Sequence, residues 1–361
     1  MPLRIRRMFD GFEPYGWETP SWEIAEDVGL KVEDIVRLDT NTSPYSPASE
    51  LGWLSQYATR LPVNEYPDTS YAGLREGLSR YCGKATDRFV VTNGADEGLD
   101  IIAKTFLDTG DEVIVPAPSY AMFRIVAEVA GAKVKYIESG PGYSFDAGSV
   151  IEAVGKRTKL VFLCNPNNPT GNSIPIKDVK AVAETGVAVA IDEAYHEFSG
   201  KTALDLTDKH ENVIVCRTFS KAFSMAGVRV GYLVAKRGTV AQLNLVRPPN
   251  SVSVISLALA EKALGDLTEM KSTVRRVTEE RARMMRALKD VRSISPYPSE
   301  TNFILFKVAK GAERVHRKLL ERGFVLRNLA EGRWTKGCLR VTVSTRKIND
   351  AFLTALREIV S

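Results

Sequence analysis

The stretch RTFSKAFSMAGVRVGY, residues 217–232, decides how the rest of the chain is read. It sets Lys221 among small and hydroxylated residues and follows it, further on, with Arg229. A lysine amine in such a setting can condense with an aldehyde to form a Schiff base. Thr218, Ser220 and Arg229 bring hydroxyl donors and a permanent positive charge, which suit a phosphate. Lysine and phosphate cradle together suggest pyridoxal 5′-phosphate (PLP), an aldehyde that carries a phosphate. Taken alone, the stretch can also be a solvated turn with a surface lysine, the commonest place for that residue.

Outward from it, residues from about 68 to 240 alternate helix and strand. DTSYAGLREGLSRYCG reads as a helix stopped at Gly83, and ADEGLDIIAKTFLD and SYAMFRIVAEVAG read as two more. RFVVTNG, DEVIVPAPSY, AKVKYIES, KLVFLCNPNNPTG, VAVAIDEAY and ENVIVCRTFSK read as strands. Short Val/Ile-rich strands between helices predict an α/β fold with a mostly parallel sheet covered on both faces. Residues 1–40 read as an irregular arm and part of a small domain, and 41–250 as the large domain. Residues 251–361 read as a small α+β domain, with one long charged helix at 257–290 and then NFILFKV, ERVHRKLLERG and LRVTVST as strand, helix and strand.

In open parallel sheets, ligands bind outside the carboxyl ends of the strands, and the polar residues of this chain stand there. NGADEG (93–98) offers the backbone amides of Ala95 and Asp96 at a helix N-terminus, where a phosphate fits; the plainer alternative is an N-cap by Asn93 or Asp96. APSY ends at Tyr120, whose ring can stack on a flat cofactor or simply fill the core. CNPNNPTG (164–171) presents the Asn168 amide, and AIDEAYHEF (190–198) delivers Asp192 and then Tyr195. A carboxylate such as Asp192 facing a heterocycle keeps a pyridine nitrogen protonated, although an isolated Asp at a strand end is usually a cap. One compatible set of parts, spread over five successive strand ends, carries more weight than any member.

The order NGADEGLD, APSYAMFR, NPNNPTG, DEAYHEF and RTFSKAF–AGVRVGY resembles the class I and II aminotransferases of PLP fold type I over nearly the whole chain. LDTNTSPYSP, RPP at 247–249, SETNFILF and CLRVTVST are similar to the histidinol-phosphate aminotransferases among them. The resemblance implies a seven-stranded sheet between helices in the large domain, and ping-pong transamination between histidinol phosphate and 2-oxoglutarate. It makes Lys221 the Schiff-base lysine and proton shuttle, and pairs Asp192 with the pyridinium nitrogen. Tyr195 and Asn168 would bond the phenolic oxygen, and Tyr120 would stack on the ring. Ala95, Asp96, Thr218, Ser220 and Arg229 would hold the phosphate. Tyr66 would reach the phosphate from the neighbouring subunit, so a homodimer is expected. Arg340 would grip an α-carboxylate, Arg327 would meet the substrate phosphate, and Tyr15 would line the substrate pocket. Asn250 stands where the RPP element commonly continues with an aromatic residue. An aminotransferase for aromatic amino acids, or a decarboxylase of the phosphothreonine type, would use much the same parts.

Composition agrees with an enzyme. Hydrophobic residues make up 44% and charged residues 26%, and the net charge of +5 is scattered rather than gathered in runs. Nucleic-acid and membrane binding are therefore not expected, while a mild positive balance favours anionic substrates. Cys82, Cys164, Cys216 and Cys338 lie far apart without metal-ligand spacing, and there are three histidines, so no metal site is expected. No signal-peptide pattern is evident in MPLRIRRMFDGF, and a cytoplasmic location is the expectation.

Overall fold

A computed structural model describes residues 5, 6, 9 and 11–360. The first residues of the expected arm, 1–4, 7, 8 and 10, lie outside the described residues. Its strands are β1 (Val36–Leu38), β2 (Phe89–Thr92), β3 (Glu112–Ala117), β4 (Lys133–Glu138), β5 (Thr158–Cys164), β6 (Ala188–Asp192), β7 (Val213–Thr218) and β8 (Gly231–Val234), followed by β9 (Ile294–Pro296), β10 (Phe303–Val308), β11 (Phe324–Asn328) and β12 (Cys338–Thr342).

Seven strands form the larger sheet in the order β2-β8-β7-β6-β5-β3-β4. Its neighbours pair in parallel except around β8, which is antiparallel to both β2 and β7. Alternation along the central strands divides their side chains between two cores. Val161, Leu163, Val189, Ile191, Val213 and Val215 face helices Ala72–Cys82 and Ile176–Ala183. Leu160, Phe162, Ala190, Ile214 and Cys216 face helices Gly94–Phe106 and Ala121–Val129. Burial on both faces is why these strands read as unbroken apolar runs.

The second sheet, β1-β11-β12-β10-β9, packs on helices Thr268–Lys289, Ala312–Leu320 and Arg346–Val360 around its own core. β1 pairs parallel with β11, so residues 36–38 cross from the start of the chain into the small lobe. That crossing lays the following turn, Asp39–Ser43, between the two lobes.

The structure departs from the sequence reading in four places. The single helix expected at 257–290 is two, Val254–Gly265 and Thr268–Lys289. The first is almost wholly apolar, and Leu257, Ala260, Ala263 and Leu264 join the core of the larger unit, although the sequence reading put residues 251 onward in the small domain. β8, β9, β11 and five longer helices, Ala48–Tyr57, Ala147–Ala153, Ile176–Ala183, Arg237–Leu243 and Arg346–Val360, were not drawn from the pattern. Finally, Asn93 precedes helix Gly94–Phe106 without capping it through its side chain, which donates instead to Ser251 O at 2.6 Å.

Candidate active site

The carboxyl ends of β5, β6 and β7 deliver Asn168, Asp192 and Lys221 to one place, roofed by the Asp39–Ser43 turn and by β12. The side chain of Lys221 follows Thr218 at the end of β7, and its Nζ donates to Thr40 O at 3.3 Å. Burial, and then the positive charge of Arg340, depress its amine to about 8. Lys221 Nζ also lies 5.9 Å from the centroid of the Tyr195 ring.

Asp192 is buried at the end of β6, and among the described residues only Ala194 N–H, at 3.0 Å from Oδ1, donates to its carboxylate. Burial pushes its acid up to about 7, against the pull of that amide. A buried carboxyl with one bond and no ion-pair partner lacks a cation, and a protonated ring nitrogen would supply one. Tyr195 stacks edge-on against Phe303, and its oxygen accepts from Asn41 Nδ2 at 3.0 Å. With that lone pair occupied, the phenol keeps its hydrogen to donate into the site.

The groups expected to hold a phosphate come from the ends of β2 and β7 and from the approach to β8. Thr218 Oγ1 donates to Ser220 Oγ at 2.9 Å, and Arg229 Nη1 stands 3.5 Å from the same oxygen. Arg229 Nη2 meets Asp96 Oδ2 at 3.3 Å, in the first turn of helix Gly94–Phe106. Gly94 has φ +73°, and a Cβ there would fall 2.5 Å from Arg229 Nη2. A Cβ on Gly231 would strike the Gly94 carbonyl carbon at 2.5 Å, so β8 and this turn approach too closely for any side chain. With no side-chain cap, the amides of Ala95 and Asp96 remain available at the positive end of the helix. Hydroxyls, guanidinium and free helix amides fit a phosphate dianion. Tyr120 OH donates to Asp96 Oδ1 at 3.0 Å, which ties its ring to the same turn.

Arg340 is buried. Its Nη1 donates to Asn168 Oδ1 at 2.5 Å, and its Nη2 donates to Asp39 O at 2.6 Å. Its Nε is buried without a partner, which leaves a donor for a carboxylate or phosphate oxygen. Arg327 sits directly across from Arg340 in the β11–β12 register. Like charges so placed repel, and among the described residues the ion-pair partner of Arg327 is Glu18, at 3.8 Å. Tyr15 lies beneath Arg327, 6.0 Å from ring centroid to guanidinium, and its phenol is held high by burial and by Glu18.

Tyr66 is the member not gathered here: it is 85% exposed, and no hydrogen bond joins it to the cluster. Two residues escaped the sequence reading. Asn41, at φ +54°, orients Tyr195, and Asn302 Nδ2 fixes the Asn41 carbonyl at 2.9 Å. Their signal was present in LDTNTSP and SETNFILF, but only the fold joins them. Among the described residues, no group of His, Cys, Asp and Glu could hold a metal ion, and no helix is long and apolar enough to cross a membrane.

A family model described as aminotransferase class I and II matches residues 33–356. The histidinol-phosphate aminotransferase of Thermoanaerobacter pseudethanolicus is 39% identical over 90% of this chain and 93% of its own length. That of Roseiflexus castenholzii is 35% identical over 98% of each chain. The solved structure of histidinol-phosphate aminotransferase from Sinorhizobium meliloti in complex with pyridoxal 5′-phosphate superposes with a TM-score of 0.88 at 26% identity, over 99% of this chain and 97% of that one.

Proposed function

The chain belongs to the class I and II aminotransferases, and from that premise we propose that it moves an amino group between histidinol phosphate and 2-oxoglutarate with PLP as cofactor. The observation that carries the substrate is the Arg327–Arg340 pair, two cations facing each other across one strand pair, with Glu18 at 3.8 Å from Arg327 and the nearby Asp39 carboxylate already paired with Arg37 at 2.6 Å. Histidinol phosphate has no α-carboxylate, so its phosphate must supply the anchoring charge, and Arg327 is placed for it. The keto acid would use Arg340, whose unpartnered Nε can complete a two-point grip.

When bound, PLP supplies an aldehyde that captures amines and a ring that draws electron density from the substrate Cα. Asp192 would hold the proton on the ring nitrogen. Tyr195, accepting from Asn41, has its hydroxyl hydrogen free for the ring oxygen, and Asn168 would add its amide there. Tyr120 would flank the ring, while Ala95, Asp96, Thr218, Ser220 and Arg229 would bind the phosphate. Lys221 takes the proton from the substrate Cα, and an amine depressed to about 8 is a competent base near neutral pH.

The working unit is proposed to be a homodimer in which Tyr66 reaches the partner's phosphate site. Leu51, Val63, Tyr66 and Leu245 are exposed by 46, 64, 85 and 83%, which supports a covered face. All four cysteines are free thiols, which fits the reducing cytoplasm.

The test is kcat/KM with 2-oxoglutarate and two donors, histidinol phosphate and phenylalanine. A pocket built around a phosphate should reject the donor lacking it by roughly a thousandfold or more. Parity, or preference for phenylalanine, would assign an aromatic aminotransferase and make Asn250 the mark of the altered pocket. Turnover of neither, with release of CO2 from a phosphorylated amino acid, would assign the decarboxylase.

A further inference from the structure

Helix Gly94–Phe106 carries two acids in its first turn, and they face different ways. Glu97 serves the start of the helix: its Oε2 accepts from Asn93 N–H at 2.6 Å and from Ser251 Oγ at 2.9 Å. Among the described residues, no backbone amide reaches the Asp96 carboxylate. Its Oδ1 accepts from Tyr120 OH at 3.0 Å, and its Oδ2 accepts from Arg229 Nη2 at 3.3 Å. A carboxylate in a first turn favours the helix wherever it points, which does not explain why both oxygens end on side chains assigned to the cofactor. A negative charge beside a phosphate cup also opposes the dianion that the cup is to receive. The backbone amide of residue 96 would serve a phosphate with any side chain, so the carboxylate needs a separate reason.

Each of its two partners is also held elsewhere. Arg229 Nη1 stands 3.3 Å from Ala226 O and 3.5 Å from Ser220 Oγ, and among the described residues the ion-pair partner of Arg229 is Asp96. The Tyr120 ring meets Phe123 edge-on, with centroids 5.9 Å apart and planes at 84°. Phe123 in turn stacks on Phe162 at 4.8 Å, and both are fully buried, so that wall is fixed. One edge contact leaves a ring free to tilt about it. The hydroxyl bond to Asp96 supplies a second point, and the two together set the plane. Burial, and then the Asp96 charge, hold the Tyr120 phenol above its ordinary value, so it stays a donor to the carboxylate.

We infer that the Asp96 side chain, as distinct from its backbone amide, is a positioning residue that joins Arg229 at the phosphate end to Tyr120 over the ring, and so sets the tilt of the face on which the cofactor lies. The inference rests on the PLP reading given above. Asp96 touches no reacting atom and acts through Tyr120. A cofactor gripped at its phosphate then meets a ring already fixed in its plane.

The experiment compares PLP-loaded parent, Asp96→Ala, Tyr120→Phe and the double variant, all of which keep the amide of residue 96. Three quantities are read: the visible circular dichroism of bound PLP per unit of its absorbance, the rate of PLP release, and Tm. Each single variant should alter the dichroism and release PLP about tenfold faster, the loss of one hydrogen bond to a charged group. The double variant should match Asp96→Ala alone, because Tyr120→Phe then removes a bond already gone. Asp96→Asn keeps an acceptor for Tyr120 without the charge and should fall between the parent and Asp96→Ala; it also carries the test if Asp96→Ala does not fold. A change in Tm with the dichroism unmoved, or single effects that add in the double variant, would overturn the role. A parent with no visible PLP band would remove the PLP reading itself, and this inference with it.

Discussion

Asp192 and Glu193 are neighbours at the end of β6, both buried, and their surroundings could hardly differ more. Glu193 receives Arg217 Nε at 3.0 Å and Nη2 at 2.8 Å, Thr202 Oγ1 at 2.9 Å, and Ala203 N at 2.5 Å. Asp192 receives one backbone amide. The two arginines repeat the contrast. Arg217 has a full carboxylate partner at 2.8 Å, and, against the downward pull of burial, Glu193 holds it well above the ordinary guanidinium value. Arg340 has an amide oxygen, a carbonyl and an unpartnered Nε, and burial holds it below that value. A closed polar network is architecture. An open one, equally buried, is a seat for something the chain does not itself provide. Alternation along one strand puts the two a single residue apart.

The comparison can be broken in several ways. The largest effect belongs to Lys221→Ala, which removes the proposed base at the centre of the open network. Turnover should be abolished while PLP is still retained by dialysed protein, as read by its visible absorbance; near-normal turnover would sink the assignment. Next comes Arg327→Ala, which should cost histidinol phosphate about 3 kcal/mol in kcat/KM, roughly a hundredfold, and phenylalanine far less. Equal losses would remove Arg327 from the substrate phosphate.

The smallest effect is a titration. In ligand-free protein, the rate of PLP capture by Lys221 should rise as pH climbs through about 8, where the amine becomes neutral. Burial is the main cause of the depression and Arg340 the next, so Arg340→Gln should move that midpoint to higher pH. The sign for stability follows from linkage: below the folded value the buried ammonium destabilises the ligand-free fold, and the cost is relieved as pH rises from about 8 toward the ordinary lysine value of 10.5. A midpoint unchanged by Arg340→Gln would deny the contact between the two charges.

The open network was legible in the sequence where single strands deliver it. Lys221, Asp192, Asn168 and the Ala95–Asp96 amides each follow a Val/Ile-rich run, so reading strand ends was enough to find them. Asn41 and Asn302 were not legible, because they come together from 261 positions apart, through a strand crossing that no local pattern announces. β8 escaped for a related reason: GYLV is four residues long and antiparallel, with no helix before it to mark a βαβ unit. The break between helices Val254–Gly265 and Thr268–Lys289 lies at Asp266–Leu267, where Asp266 leaves the helical conformation and its Oδ1 takes Thr268 N–H at 2.9 Å. The apolar first helix and charged second helix record two different packing partners, which a single periodicity hides.

The most direct test of the contrast is to make Asp192→Asn and Glu193→Gln side by side, and to measure PLP affinity and equilibrium unfolding of each ligand-free protein. Glu193→Gln should lose about 3–5 kcal/mol of stability, because Arg217 is left buried without its counter-charge. Asp192→Asn should stay within about 1 kcal/mol of the parent, yet bind PLP about tenfold more weakly or worse, having lost a charge-assisted bond to the ring nitrogen. The opposite ranking, with Asp192 governing stability and Glu193 governing PLP, would contradict the account.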